Sequence, residues 1–301
     1  MTDKKAINAV WLSETGLTNI NSGVGGSNLV DLKKYKMSGV DYPYVSGQAM
    51  RYYLKESIRR LETNDKYCVA DDKGETCGDI GNCILCDLFG FMKTLKDQGA
   101  QKRVSPIKMS PAMGLLPLND NMTVDFLTRR KPQESTGELK GDIVNVELAV
   151  NIYKAGLSID LAKVGGEEII ENKKIVIKSK VENEDLKKER IKIALEAFKN
   201  LSDYSKQARL LTDFTPNFIL ISIQDRYNHL LQKALELKDG KNINLERLDQ
   251  VLQSLKGNKI YAGLLSGTFG NEDELKQVLL NRGIELTTPI EAIDMAIAEV
   301  D

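Results

Sequence analysis

Four cysteines fall in one short window, Cys68, Cys77, Cys83 and Cys86, and the chain has no others. Their spacing is C-x8-C-x5-C-x2-C, with Gly74, Gly78 and Gly81 among them. Two thiolates two residues apart can share one tetrahedral ion, and four would close the shell of a zinc ion. The chemistry expected here is therefore structural metal binding, not metal catalysis. A small glycine-rich insert without an apolar core also needs a staple, which zinc would supply. The competing expectation is four reduced thiols, because a reducing compartment disfavours disulfides.

The second group is cationic. Arg51, Lys55 and Arg59 recur every four residues beside an apolar stripe of Met50, Leu54, Ile58 and Leu61, the spacing of a helix with one buried face. Pro43 biases Tyr42 toward extended backbone, and Ser46 can cap the first turn, near Gln48. A row of cations beside a helix N-terminus suits phosphates. It also reads as a solvated face in which Glu56 and Arg60 pair at i, i+4. Upstream, Asn19, Asn21 and Ser22 lead into Gly23, Gly25 and Gly26 and then Lys33. The glycine spacing is wrong for a dinucleotide fingerprint. A loop offering backbone N–H groups and Asn amides to phosphates fits better, with a solvated loop as the alternative.

Further along, Arg129, Arg130 and Lys131 are consecutive, and Lys206 and Arg209 lie close together. Each cation on a phosphate would add a salt-dependent contact. The run from Glu182 to Lys192 alternates in sign and reads as a solvated helix face. Met109, Met113 and Met122 suit a minor core or contacts with bases.

Composition narrows the classes. The chain has 301 residues, 42% hydrophobic and 28% charged, with a formal net charge of -1. These are the proportions of an ordinary globular protein, and the balance lacks the overall basic excess of many nucleic-acid binders. Any RNA-binding cations must be concentrated on one surface. No apolar run is long enough for a bilayer and no signal-peptide core opens the chain, so the expected location is cytoplasmic, with no membrane partner. The single histidine, His229, lies in an apparent helix. Ser-His-Asp or Cys-His catalysis would have to pass through it, and a structural role is expected instead.

These groups must be positioned by a scaffold whose order can be read. A strand from Lys5 to Leu12 precedes a helix from Ser46 to Leu61. Val144, Val146, Leu148, Val150 and Ile152 alternate as a half-buried strand. Leu157, Ile159 and Leu161 repeat the alternation after Lys154-Ala155-Gly156, which predicts a hairpin turning at that tripeptide. A helix over Glu184 to Leu201 and a buried strand over Asn217 to Ile223 complete a βαββαβ order, the ferredoxin-like or RRM-like α+β core. In an RRM the open sheet face handles single-stranded RNA. Extra helices follow, with capping boxes expected at Asn271/Glu274 and Thr288/Glu291. One domain, 1–301, is expected, with a long insertion at 66–142 holding the cysteines. A second insertion, Gly165 to Val181, is expected to extend the sheet.

The block from Tyr42 to Lys55 carries a resemblance, together with Ile7-Asn8-Ala9-Val10-Trp11-Leu12, Thr18-Asn19-Ile20-Asn21 with Gly23-Val24-Gly25-Gly26, and Leu32-Lys33-Lys34. It resembles the DevR-type (Cas-seven) backbone subunit of the type I-B CRISPR Cascade complex. The likeness is tight from Ile7 to Lys55 and looser beyond. It implies an RRM-like palm with arms called fingers and a thumb, the fingers falling in 66–142. It also implies a non-catalytic protomer that polymerises head-to-tail along guide RNA, beside other Cascade subunits and a target DNA strand paired to the guide. The RNA-binding residues expected on that basis are Asn19, Asn21, Ser22, Lys33, Ser46, Gln48, Arg51, Lys55, Arg59, Arg129, Arg130 and Arg209. A second function stays open at this point. Related backbone subunits of type III complexes cut target RNA with a loop aspartate, and Asp31 and Asp41 are loop carboxylates here.

Overall fold

The computed structural model of the chain describes residues 4–20, 22, 29–61, 66–95, 99–132, 139–202, 204 and 210–300. The chain opens with strands β1 (Ala6–Thr18), β2 (Leu29–Val30), β3 (Lys34–Met37) and β4 (Val40–Val45), then helix α1 (Gly47–Leu61). The cysteine insertion holds α2 (Ile84–Phe89) and the hairpin β5 (Phe91–Leu95) and β6 (Gly99–Arg103). Short strands β7 (Ile107–Met109) and β8 (Ala112–Gly114) precede β9 (Met122–Pro132) and the long β10 (Leu139–Asp160). A second hairpin, β11 (Gly166–Glu171) and β12 (Lys174–Ser179), leads to α3 (Glu184–Glu196) and β13 (Phe218–Gln224). The chain closes with α4 (Leu245–Ser254), β14 (Lys259–Leu264), α5 (Glu272–Asn281), β15 (Leu286–Thr287) and α6 (Pro289–Ala298).

The main sheet runs β15-β14-β13-β1-β10-β8-β4-β3, with β2, β7 and β9 also pairing to β10. At its centre β13, β1, β10 and the β7/β8 pair are mutually antiparallel. With α1 and α3 as the two crossovers, this is the α+β, ferredoxin-like βαββαβ order expected from the sequence. The alternation of β1 explains the layers. Ile7, Ala9 and Trp11 share one face with Ile219, Ile221 and Ile223, and pack with residues of α1, α3 and α6. Val10 and Leu12 face the other way with Phe218 and Leu220, against α4, α5 and Leu231–Leu235. The second core covers the sheet face that an RRM leaves open, so that face is not a free platform for stacked bases.

Several expectations are corrected. No hairpin turns at Lys154-Ala155-Gly156; β10 is one unbroken strand of 22 residues. The alternation changes phase there because both faces are covered: Ile152 joins one core while Tyr153, Ala155, Leu157 and Ile159 join the other. Gly156 leaves room for the Gln232 side-chain amide, which packs directly against it and which a β-carbon there would displace. The true second core strand is the broken β7/β8 pair. The segment 165–181 does not extend the sheet, because β11 and β12 pair only with each other. His229 is not in a helix; a single 3-10 turn begins after it at Leu230. The Thr288/Glu291 capping box forms with Pro289 in the first turn. Asn271 does not cap α5, because its side chain bonds both the N–H and C=O of Ile243.

One buried carboxylate joins the peripheral parts. Asp87, on α2, is fully buried between Arg103 and Arg190. Arg190 Nη1 donates to Asp87 Oδ2 at 2.6 Å, and the same guanidinium donates to the carbonyls of Ile80 and Gly81. Arg103 donates to the other Asp87 oxygen and to the carbonyls of Asp87, Lys163 and Gly166. The Gly165 N–H donates to both carboxylate oxygens, at 2.9 and 3.0 Å. The cysteine insertion, the β11–β12 hairpin and α3 thus meet at one charge. Arg190 stands in the alternating run expected to be a solvated face, so that part of the expectation is corrected. Removing the carboxylate strands two buried guanidinium groups. Asp87→Ala is expected to cost about 3–5 kcal/mol in urea unfolding; a loss below about 1 kcal/mol would show the cluster to be solvated.

Candidate functional site

The four sulfurs converge in the first insertion. Cys83 caps α2, its sulfur accepting from the Cys86 N–H at 3.4 Å, which turns both first-turn sulfurs the same way. Cys68 and Cys77 arrive from the loop before the helix, and the Cys77 N–H reaches Cys68 Sγ at 3.5 Å. Sulfur separations are 3.5 Å for Cys68–Cys86 and Cys77–Cys86 and 3.6 Å for Cys83–Cys68, and all four lie within 4.8 Å of one another. Sulfurs about 2.3 Å from a shared tetrahedral ion would stand about 3.8 Å apart. The cluster therefore has the size of a four-thiolate metal site. Hydrogen bonds from Cys83 and its neighbours draw the Cys86 thiol down to about 4. Burial pushes Cys77 up to about 11, and the bond to Cys86 pushes Cys83 up. One sulfur is thus favoured as thiolate by the other three. Gly90, which ends α2 with φ 69°, could carry no side chain: a β-carbon would lie 2.5 Å from the Arg103 carbonyl.

The cationic helix forms as expected, but its cations are largely occupied. Ser46 Oγ accepts from the Ala49 N–H at 3.2 Å, and Met50, Leu54 and Ile58 are buried. Arg51 donates to the carbonyls of Ile107 (2.9 Å) and Phe89 (2.8 Å) and to Ser105 Oγ (3.2 Å). Arg51 and Lys55 both lie over the Phe89 ring, 5.3 and 5.2 Å from its centroid. Burial lowers the pKa of each; for Lys55 the Cys86 and Cys68 sulfurs oppose that shift. Glu56 pairs with Arg59 at 2.5 Å rather than with Arg60, which stacks on Tyr204 at 4.5 Å. Arg51 and Lys55 therefore form a strut between α1 and the cysteine insertion, whereas Arg59 pairs within α1, and Gln48 in the first turn stays exposed.

The other predicted contacts divide. Asn19 is buried: its Nδ2 donates to the Glu147 carbonyl at 2.9 Å, and its Oδ1 accepts from Ser22 Oγ at 3.1 Å. Glu147 in turn accepts from the Leu32 N–H and from Lys34, each near 2.9 and 2.8 Å. Lys33 is half-buried, its carbonyl accepting from the Tyr44 N–H. Arg129 and Arg130 lie on β9, in register with Asp142 and Gly141 of β10. Asn21 and Arg209 lie outside the described residues. Asp41 pairs with Lys36 at 3.6 Å, and Asp31 is half-buried. Among the described residues, the cysteines are the only group of three or more possible metal ligands standing together. Sequence reasoning missed Asp87, Arg103 and Glu147, whose isolated charges carry no spacing signal.

The family model described as "CRISPR-associated negative auto-regulator DevR/Csa2" matches residues 19–228. Among solved structures, a chain of a "CRISPR RNA-guided surveillance complex" is similar, with TM-score 0.60 and 16% identity over 98% of this chain and 100% of that one. A chain of a "CRISPR RNA-guided surveillance complex, pre-nicking" gives TM-score 0.61 and 13% identity over the same shares. No curated protein matches.

If the α1 row is a strut, its members differ in their effect on stability. Arg51→Ala is expected to lower unfolding free energy by about 2 kcal/mol, the value of charge-assisted bonds to buried carbonyls. Gln48→Ala, three positions before Arg51 on the same helix and exposed, should stay within about 0.5 kcal/mol. Equal effects in urea titrations would refute the strut.

Proposed function

The chain belongs to the CRISPR-associated DevR/Csa2 family, and from that premise we propose that it is a non-catalytic, guide-RNA-binding backbone subunit of a type I-B Cascade complex. Copies stack head-to-tail along the guide, with other Cascade subunits at the ends. The guide reads a target DNA strand by base pairing while protein grips its backbone. The observation that carries this reading is the family match across residues 19–228; the likeness to chains of RNA-guided surveillance complexes supports it. Heterologous contacts of this kind extend until a partner or the RNA ends them.

The covered sheet supports a guide path along the projecting elements. The first turn of α1 offers Ser46 and exposed Gln48 beside backbone donors, and Ser22 and Lys33 are the contacts proposed upstream of it. Arg129 and Arg130 supply charge from β9, and Arg209, outside the described residues, is carried as a contact from the sequence alone. Arg51 and Lys55 serve the guide by fixing α1 against the insertion, and Asn19 by bracing the strand that follows the glycine loop. The arms also carry apolar side chains that an assembly would cover: Phe126 is 67% exposed and Ile143 59% on the β9–β10 arm, and Ile170 and Ile175 are 79% and 73% exposed on the second hairpin. Exposed apolar groups clustered on projecting arms mark contact surfaces more often than isolated ones do.

The four cysteines fit zinc by donor type and separation, and Cys68, Cys77, Cys83 and Cys86 would hold it. With no position left open, the ion would supply closure of the insertion and no reaction.

Co-expression with a CRISPR array, its processing nuclease and the partner subunits is expected to give a large ribonucleoprotein, which size exclusion and RNA sequencing would show to hold RNA of one discrete length. An RNA-free monomer under those conditions would overturn the assignment. For the metal, elemental analysis of freshly purified, reduced protein should find about one zinc per chain. Cys83→Ser with Cys86→Ser should lose it and lower Tm; under half an equivalent in the unaltered protein would count against the site.

A further inference from the structure

The sulfur cluster lies in a small apolar core of its own. Cys83 and Cys86 are buried with Ile80 and Phe91, and Cys68 and Leu85 pack against them. Two lysines reach this core from outside the cysteine loop. On α2, Cys86 and Phe89 are three residues apart, so they share one face of the helix. Lys55 of α1 sets its ammonium over the Phe89 ring, 5.2 Å from the centroid. From β5, Lys93 Nζ donates to the Cys77 carbonyl at 3.0 Å. Gly78, with φ 71°, leaves room for the Lys93 stem, since a β-carbon there would lie 3.2 Å from Lys93 Cδ.

The charges of these two lysines are not otherwise matched. Both side chains are half-buried. Among the described residues neither forms an ion pair with a carboxylate, whereas Lys34, Lys163 and Lys199 each do. A lysine drawn out of water is ordinarily paired. Arg51, the other cation over Phe89, gives its donors to two carbonyls and a hydroxyl. Burial lowers the Lys55 pKa and the Arg51 charge adds to that, while the Cys86 and Cys68 sulfurs act the other way.

We propose that Lys55 and Lys93 are the counter-charges of the four-sulfur centre and help it hold a divalent ion. The inference rests on the four-thiolate reading of the cysteines. Four thiolates around one divalent cation leave two negative charges, and the two ammonium groups balance them. The apolar walls make that balance count, because charge is poorly stabilised away from water. The carboxylates of the same segment cannot supply it: Asp71, Glu75 and Asp79 each accept backbone N–H bonds and add negative charge. Since the lysines come from α1 and β5, the same attraction ties both elements to the centre.

Chelator competition on the zinc-loaded full chain tests this. Lys55→Met and Lys93→Met keep an unbranched stem and lose the charge. Each is expected to hold zinc about 10-fold more weakly, the scale of groups that support metal ligands from behind, and Lys55→Arg should keep most of the affinity. Unchanged affinity in both methionine variants overturns the proposal. Charge balance is separated from packing by Tm: Lys55→Met should lower it more in zinc-loaded than in zinc-stripped protein, and an equal loss in both states overturns the Lys55 assignment. An unaltered chain that takes up no zinc overturns the four-thiolate reading and this proposal with it. Zinc held by the unaltered chain and equally tightly by the variants removes the counter-charges alone.

Discussion

The buried Asp87 carboxylate is the constraint on which the peripheral structure depends. A charge removed from water is tolerable only when its oxygens are fully bonded, and here two guanidinium groups and a backbone N–H do this. The partners come from the first insertion, from the base of the second hairpin and from α3. None of these segments can shift without exposing a charge inside the protein. Because Asp87 follows Cys86 directly, the sulfur cluster and the ion cluster occupy the same short helix. A metal closing the cysteines and a carboxylate closing the arginines would therefore restrain α2 from both of its sides.

That restraint reaches α1 through Phe89. The last residue of α2 presents its carbonyl to Arg51 and its ring to Arg51 and Lys55. The two cations nearest the helix start thereby have partners within the protein. A backbone carbonyl and an aromatic face compete for the same donors as a phosphate. The first turn itself holds the Ser46 cap and exposed Gln48, where backbone donors are left unsatisfied by the helix.

Legibility in the sequence followed how local each signal was. The Ser46 cap, the Thr288/Glu291 box and the cysteine window needed only neighbouring residues, and each took the expected form or proximity. The strand–helix order of the core was legible because alternation and helical spacing are local too. The register around Gly156 was not. Glycine after Lys154-Ala155 looks like a turn, yet here it admits Gln232, 76 positions later, against the strand. Arg190 shows the same limit: its neighbours alternate in sign as on a solvated face, and only the fold brings Asp87 to it. The burial of the second sheet face was equally hidden, since nothing in α4 or α5 says which surface their apolar stripes will cover.

The same distribution of charge resolves the near-neutral balance. A count of lysines and arginines weighs every cation equally, but Arg51, Arg103 and Arg190 point inward, Lys34 is held by Glu147, and Arg282 is held by Asp249. Lys34 and Arg282 each face one carboxylate, Arg103 and Arg190 share Asp87, and Arg51 is held by carbonyls, so the bonding capacity of these cations is taken up within the protein. A net charge of -1 then says little about any one surface. Screening acts on exposed charges and much less on buried pairs, so salt acts on the exposed cations and carboxylates of such a chain and not on its composition as a whole.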